Sequence, residues 1–245
     1  MTHRSFALAL IAGMLILTGG ALRVRGASPA AGAASVEGRV RFEGQRPEPT
    51  RITMSTDPTC AKQHPGPVTA DDFVIGGDGG LGNVIVFVSS GLAGKTFDVP
   101  ADPAVEEQKG CMYKPHVLAL QAGQKLKIVN SDNTLHNIHP LPANNREWNK
   151  AEPAGSVLEE AFAREEIAIP VKCNVHPWMR SYIAVFKHPY FAVTGKDGTF
   201  DLRNLPPGEY TLKAWHEKFG TMTQTVTIAS GEAKKIDFVF KAQNR

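Results

Sequence analysis

Hydrophobic and polar positions along this chain repeat with the period of a β-strand and not with that of an α-helix. Val36 to Phe42 and Leu126 to Asn130 alternate apolar with polar side chains. Val84 to Val88 is a continuous apolar run, and Tyr182 to Phe186 is another short apolar segment. Turn signals such as the glycine-rich stretch 76–80 separate these segments. The pattern therefore predicts an all-β fold made of β-sandwiches.

Helical character is confined to two short tracts. The segments 105–109 and 144–150 could each form a helical turn. Both tracts are too short to change the predicted fold class.

A change of character at Tyr190 marks a separate unit, in which short strands alternate with tight turns. The hairpin signal Asp197-Gly198-Thr199-Phe200 is followed by Leu-Pro-Pro-Gly-Glu-Tyr-Thr-Leu at 205–212. These motifs resemble the carboxypeptidase regulatory-like module, a small transthyretin-like β-sandwich. The first strand of that family reads Gly-x-Val before a Gly/Pro turn, and this chain has Gly38-Arg39-Val40 with Gly44 and Pro47 after it. We therefore expect a discontinuous module, and a simple tandem arrangement is the alternative.

Two loops carry the candidate metal ligands. Cys173, His176 and Met179 form a Cys-x-x-His-x-x-Met loop after a predicted strand, and His136 lies in an earlier loop. Blue-copper centres use one thiolate and two imidazoles in a plane with a weak axial thioether. Each residue alone favours a packing or surface role, whereas their combination at this spacing indicates a mononuclear copper site. Zinc fits less well because a structural zinc site would use more thiolates, and a binuclear copper site needs a second Cys that 174–180 lacks.

These loops resemble those of the cupredoxins, and of plastocyanin and amicyanin in particular. The stretch 122–130 is similar to the strand before the first ligand, and Pro177 after the His is found in amicyanin-like loops. The resemblance covers about 84–187 and implies a Greek-key β-sandwich holding one type 1 copper ion. It also implies that Asn137 ties the two ligand loops together, and that His176 is the solvent-edge ligand through which electrons pass.

The N-terminus has the pattern of an export signal. Met1 to Arg4 is positively charged, Phe6 to Leu17 is apolar, and small residues follow from Gly26 to Ala34. We expect a periplasmic or extracellular protein with no membrane span after cleavage. The alternative is an uncleaved anchor, because Phe6 to Leu22 is nearly long enough to span a bilayer.

The net charge of +3 belongs to this N-terminal segment. Residues 1–34 hold three Arg and no acidic residue, so the rest of the 27 basic residues balances the 24 acidic ones. Neither nucleic acid nor an anionic membrane surface is expected as a partner.

The cysteine count of three is odd for an exported chain. Cys173 has candidate metal ligands within a few residues, which leaves Cys60 and Cys111 as the natural disulfide pair in an oxidising compartment. The alternative is that Cys60 and Cys111 are two free buried thiols.

The expected boundaries combine these observations. Residues 1–34 are the signal and a small-residue linker, 35–72 the first strands of the transthyretin-like module, 73–188 the cupredoxin domain and 189–241 the rest of the module.

The expected function is single-electron transfer without catalysis. A redox protein is expected to dock near His176, on an apolar rim that includes Leu141 and Trp178. Two alternatives remain open: a periplasmic copper carrier or buffer, and an envelope-binding or adhesion protein whose C-terminal module sets the role.

Overall fold

The computed structural model describes Met1, Gly32 and residues 34–242. Its described part contains one short helix, α1 (Pro58–Ala61), and nineteen strands. The strands are β1 (Ala34–Glu43), β2 (Arg51–Ile52), β3 (Val68–Thr69), β4 (Ile85–Ser90), β5 (Ala104–Gln108), β6 (Tyr113–Lys114), β7 (Val117–Gln121), β8 (Leu126–Asn130), β9 (His136–Pro140), β10 (Lys150–Glu152), β11 (Val157–Glu160), β12 (Glu166–Lys172), β13 (Arg180–Phe186), β14 (Phe191–Val193), β15 (Thr199–Leu205), β16 (Gly208–His216), β17 (Gly220–Ile228), β18 (Ala233–Lys235) and β19 (Phe238–Lys241). The all-β fold predicted from the sequence is confirmed.

The expected export signal falls almost entirely on residues outside the described part. Within the described part, no helix is long and apolar enough to cross a membrane.

The first sandwich, called here the module sandwich, combines β1 with strands from the C-terminal part of the chain. Strand β1 runs antiparallel to β15 and parallel to β18 and β19. The facing sheet has the order β14-β4-β16-β17. Their inner faces share one apolar core that includes Val40, Leu81, Phe200, Leu212 and Phe238. Strand β1, the first strand of the described part, therefore lies among the C-terminal strands.

The second sandwich, called here the ligand sandwich, consists of two facing sheets. One has the strand order β10-β9-β12-β13-β7 and the other β11-β8-β5-β6. Its core includes Leu126, Ile128, Ile138, Phe162 and Ile183. These strands alternate buried with less buried side chains, as Leu126 to Asn130 does, because one face of each sheet is turned to the core.

The tracts proposed as helical turns have other structures. Residues 104–108 form β5, and 144–149 are irregular up to the start of β10. The only helix in the described part is α1, which Asp57 caps by accepting hydrogen bonds from the N–H groups of Thr59 and Cys60.

Strand β4 lies where the two sandwiches meet. Its residues Ile85 to Val88 are all buried, because Val86 and Val88 face the module core while Ile85 and Phe87 pack on Val117, Ala184 and Phe186 of the ligand sandwich. A strand covered on both faces has a continuous apolar run and not an alternating one.

The sheets therefore differ from the expected boundaries in two places. Strand β4, expected within the cupredoxin domain at 73–188, pairs with β14 and β16 of the module sandwich. The stretch from β2 to β3, expected within the module at 35–72, packs instead on the ligand-sandwich core through Ile52, Met54, Cys60 and Val68. A local apolar pattern predicts that a segment is buried, but it does not determine which core the segment enters.

A buried ion pair joins the two sandwiches. The imidazole Nε2 of His116, which is 8% exposed, contacts the carboxylate of Glu217 at the end of β16. Burial lowers the pKa of His116, but the hydrogen bond and charge of Glu217 outweigh burial and hold that pKa above its usual value. Tyr182 and Trp215 pack edge to face beside the pair, with ring centroids 5.2 Å apart.

We predict that Glu217→Gln destabilises the protein by about 1–3 kcal/mol at pH 5.5–6. The His116 pKa is raised on folding, so the pair stabilises fully below the unfolded-state pKa of about 6.5 and loses its effect as the pH rises through the folded-state value. Urea unfolding at a series of pH values measures this difference. Glu209→Gln, an exposed change on the same strand, is the control, and a pH-independent difference would contradict the prediction.

Candidate metal centre

The candidate ligands lie on two loops that strand pairing brings together. His136 is the first residue of β9, and the loop between β12 and β13 carries Cys173, His176 and Met179. Strand β9 runs antiparallel to β12 with His139 opposite Lys172. Continuing that register past the end of β12 brings the start of β9 beside the ligand loop.

Three of the four candidate ligands converge. One nitrogen of His136, one nitrogen of His176 and the sulfur of Cys173 all lie within 4.8 Å of one another. The two Nδ1 atoms face each other at 2.9 Å. All three side chains are buried, with exposures of 0% for His136 and 2% for both His176 and Cys173.

Met179 completes the same loop from its C-terminal side. Its N–H donates to the carbonyl of His176 at 2.9 Å, and its own carbonyl accepts from the N–H of Cys173 at 3.2 Å. The side chain is fully buried in the core cluster that also contains Cys173. The loop is therefore closed on itself, with Met179 held on the core side.

Asn137 connects the two loops. Its Oδ1 accepts hydrogen bonds from the N–H of Asn174 at 2.5 Å and of Val175 at 3.3 Å, and lies 3.3 Å from Sγ of Cys173. Its Nδ2 donates to Asn149 at 2.6 Å. The loop-tying position that the cupredoxin resemblance implied for Asn137 matches these contacts.

The far side of each imidazole is held by a carboxylate. Nε2 of His136 lies 2.8 Å from Oδ2 of Asp132, and Nε2 of His176 lies 2.8 Å from Oδ2 of Asp57. The two Nδ1 atoms, on the opposite side of each ring, face each other. The expectation that His176 forms the solvent edge is not met, because Asp57 and the neighbouring helix cover it.

We call residues 51–69, which comprise β2, α1 and β3, the cap segment. Sγ of Cys60 in this segment lies 3.6 Å from Nε2 of His176, and Cys60 forms a disulfide with Cys111. Trp178 closes another side, since its ring lies 5.0 Å from that of His176 and its Nε1 donates to the carbonyl of Cys111. Cys173 is the free cysteine.

The electrostatics of the site stabilise the thiolate form of Cys173. Burial lowers the pKa of His136, but hydrogen bonds to Asp132 and Cys173 raise it to about 9. Burial raises the pKa of the Cys173 thiol, yet hydrogen bonds from His136 and from backbone N–H groups outweigh burial and lower the pKa overall. The thiolate form that binds metals is thus stabilised where two imidazoles converge.

A second set of buried polar groups lies in the core of the ligand sandwich. Glu106 and Glu152 are both fully buried, and burial raises the pKa of each, to about 7 for Glu152. Gln108 contacts Glu152 through its Nε2, and Glu152 is paired across the strands with His136. Tyr113, whose hydroxyl donates to the carbonyl of Asn137 at 2.6 Å, is buried in the same sandwich core.

Sequence reasoning missed Asp57 and Asp132. Asp132 could have been considered because it lies four residues before His136 in the same loop. Asp57 precedes Pro58 in a helix-start pattern, but nothing in that pattern connects it with His176, 119 residues away.

The expected apolar rim is only partly exposed. Pro140 is buried and Trp178 is half-buried, while Leu141 is 37% exposed. Leu135 and Val175 are more exposed than these rim residues, at 48% and 46%. Each of these two immediately precedes a candidate histidine ligand.

Comparison with known proteins identifies a family for the C-terminal part of the chain. Residues 182–241 match the family model of the carboxypeptidase regulatory-like domain. The resemblance predicted from 205–212 is thereby confirmed. The matched range begins within β13 and ends with β19.

Solved structures similar in fold to part of this chain include cupredoxins. The purple cupredoxin of Nitrosopumilus maritimus is 22% identical over 34% of this chain and 98% of its own, with a TM-score of 0.30. An oxidized mutant of amicyanin is 16% identical over 41% of this chain and 97% of its own, with a TM-score of 0.32. The Cu-containing nitrite reductase of Thermus scotoductus SA-01 is 18% identical over 38% of this chain, with a TM-score of 0.33, and the chain covers 26% of that enzyme. No curated protein sequence matches the chain.

The donor atoms themselves fit a copper ion. A buried thiol and two imidazole Nδ1 atoms converge, each imidazole has its other nitrogen on a carboxylate, and a buried methionine belongs to the same loop. Thiolate and imidazole donors suit copper, and carboxylates on the distal nitrogens are the usual outer support of metal-binding histidines.

We predict that Asn137→Ala lowers the free energy of unfolding of the metal-free protein by about 1–3 kcal/mol, because the N–H groups of Asn174 and Val175 lose their acceptor. Urea unfolding measures the loss. Asn133→Ala, an exposed change in the same chain region as His136, should leave stability within about 0.5 kcal/mol. Equal stability of the two variants would contradict the bridging role of Asn137.

Proposed function

We propose that this chain is an exported mononuclear type 1 copper protein that carries single electrons between redox partners. The observation that carries the proposal is the convergence of the Cys173 sulfur with one nitrogen each of His136 and His176 within 4.8 Å in a buried pocket.

Each ligand residue has a defined task in this proposal. Cys173 supplies the thiolate, His136 and His176 supply the two equatorial nitrogens, and Met179 supplies the axial sulfur. Copper in such a site supplies a one-electron Cu(II)/Cu(I) couple. Asn137 and the backbone bonds of Met179 hold the loop in one conformation, so little has to rearrange when the oxidation state changes.

Burial argues for electron transfer over catalysis. The four ligand side chains are each no more than 2% exposed, and the cap segment covers the outer edge of His176. A substrate has no direct approach to these side chains, whereas an electron needs only a short path to the surface. We therefore propose that the protein is not an enzyme.

The partner is proposed to be a redox protein that docks beside the ligand loops. Leu135 and Val175 are exposed apolar side chains next to the two histidines, and they offer a small desolvated contact. Brief redox encounters typically bury less than about 1,200 Å², which matches a patch of this kind.

An extracytoplasmic location agrees with the cysteine chemistry. The disulfide between Cys60 and Cys111 is of the kind that persists in the periplasm or outside the cell, and the first 34 residues have the composition of an export signal. In this proposal the module sandwich is a structural or adhesive partner of the ligand sandwich.

A copper carrier or buffer is the second candidate function. It would use the same donor atoms, and the cap segment over His176 would then slow metal release. The two functions differ in whether the copper ion leaves the site. An electron-transfer protein changes the oxidation state of copper without releasing it, whereas a copper carrier passes the ion to a chelating partner.

Loading the purified protein with Cu(II) tests the proposal. We expect an intense thiolate-to-copper absorption band in the visible range, its loss in Cys173→Ser, and its retention in Met179→Leu with a raised reduction potential. Met222→Leu, a methionine change in the module sandwich, should alter neither the band nor the potential. A colourless copper complex would overturn the type 1 assignment, and rapid loss of copper to a chelator during redox cycling would favour the carrier.

A further inference from the structure

We propose that Asp57 and Asp132 are positioning residues for the two histidine ligands, and that their paired negative charges hold the reduction potential of the centre low. This inference rests on the proposed function, because it concerns how the same site is tuned.

Asp132 is a rigid, fully enclosed carboxylate. Its side chain is 1% exposed, and it accepts hydrogen bonds from the N–H groups of Gly110 and Cys111, each at 2.7 Å. Its Oδ2 also lies 2.8 Å from Nε2 of His136. Since three donors converge on one carboxylate, its charge is stabilised and its orientation is determined by the backbone.

Asp57 performs the same task from a different part of the chain. Its Oδ1 accepts from the N–H groups of Thr59 at 2.8 Å and Cys60 at 3.2 Å, which caps α1. Its Oδ2 lies 2.8 Å from Nε2 of His176. The carboxylate is 21% exposed, so the cap segment brings a negative charge to a ligand edge that would otherwise contact water.

The disulfide connects the two supports. The N–H of Cys60 binds Asp57, the N–H of Cys111 binds Asp132, and the two cysteines are bonded to each other. One covalent link therefore fixes both carboxylates relative to the two imidazoles. Cys60 and Asp57 also lie together with His176, and Cys111 and Asp132 with His136, in compact groups.

The chemical consequence follows from the position of the charges. With copper bound, a carboxylate on Nε2 would keep the proton there, leave the Nδ1 lone pair for the metal and make the imidazole a stronger donor. Stronger donation and nearby negative charge both favour the more highly charged Cu(II) state over Cu(I). Two such carboxylates therefore lower the potential relative to a site in which water contacts one histidine.

The test measures reduction potential in Asp57→Asn, Asp132→Asn and the double variant of the copper-loaded full chain. We expect each single change to shift the one-electron equilibrium with a reference couple about tenfold towards Cu(I), which corresponds to about 59 mV upward. The visible band should persist. Asp57→Ala, which removes the acceptor as well as the charge, should additionally broaden the band because His176 loses its fixed orientation.

Glu166→Gln is the matched control. Glu166 is a well-buried carboxylate that also accepts backbone N–H bonds, from Ala143, Asn144 and Asn145. It is the first residue of β12, seven residues before Cys173, and therefore roughly 20 Å away at ~3.3 Å per residue. The reduction potential of the Glu166→Gln variant should equal that of the unmodified protein.

A readout on the metal-free protein separates this inference from the proposed function. Nitrogen-15 NMR of the imidazoles should show a proton on Nε2 of both His136 and His176, and Asp57→Asn should shift the His176 signal alone. Wild-type imidazoles without a proton on Nε2, or Asn variants with the reduction potential of Glu166→Gln, would overturn the proposal.

If the copper complex lacks the visible band while the NMR pattern is as expected, the type 1 function fails and the positioning role stands. Should Asp132→Asn not fold, Asp57→Asn and the NMR spectra decide.

Discussion

The antiparallel pairing of β9 with β12 is the constraint on which the candidate centre depends. Opposite residues such as His139 and Lys172 place the start of one strand beside the end of the other. His136 and the Cys173–Met179 loop meet there because the pairing register is specified by the buried face of the sheet. A shift of one residue would turn His136 away from the core, so the core packing of Ile138 and Val171 also determines the ligand geometry.

The outer side of the centre is built by a part of the chain that lies far from the ligands in sequence. The cap segment reaches the ligand sandwich after β1 has entered the module sandwich, and the Cys60–Cys111 disulfide holds it there. By the chain-entropy model, a bridge with a sequence separation of 51 stabilises the fold by about 4 kcal/mol. Such a link makes it possible for a four-residue helix, too short to be stable alone, to present Asp57 in a fixed position.

The two sandwiches depend on each other through β4. Because this strand is buried on both faces, it belongs to the module by hydrogen bonding and to the interface by packing. The His116–Glu217 pair and the Tyr182–Trp215 contact extend the interface. Strand β13 contributes to both surfaces as well, with Ile183 and Val185 in the ligand-sandwich core and Ala184 and Phe186 against the module.

Strand periodicity and ligand spacing are local properties, so the amino-acid sequence was enough to predict the all-β class, most strand positions, the module motif at 205–212 and the candidate ligand set around Cys173. Tertiary structure alone decided that β4 belongs with the module, that the cap segment covers His176, and that Asp57 and Asp132 hold the imidazoles. A continuous apolar run does not reveal which core it enters, and a helix-capping Asp does not reveal what its second oxygen contacts. Asp132 lies only four residues from His136, but the other outcomes depend on contacts between residues more than a hundred positions apart, such as Asp57 and His176, which no local pattern encodes.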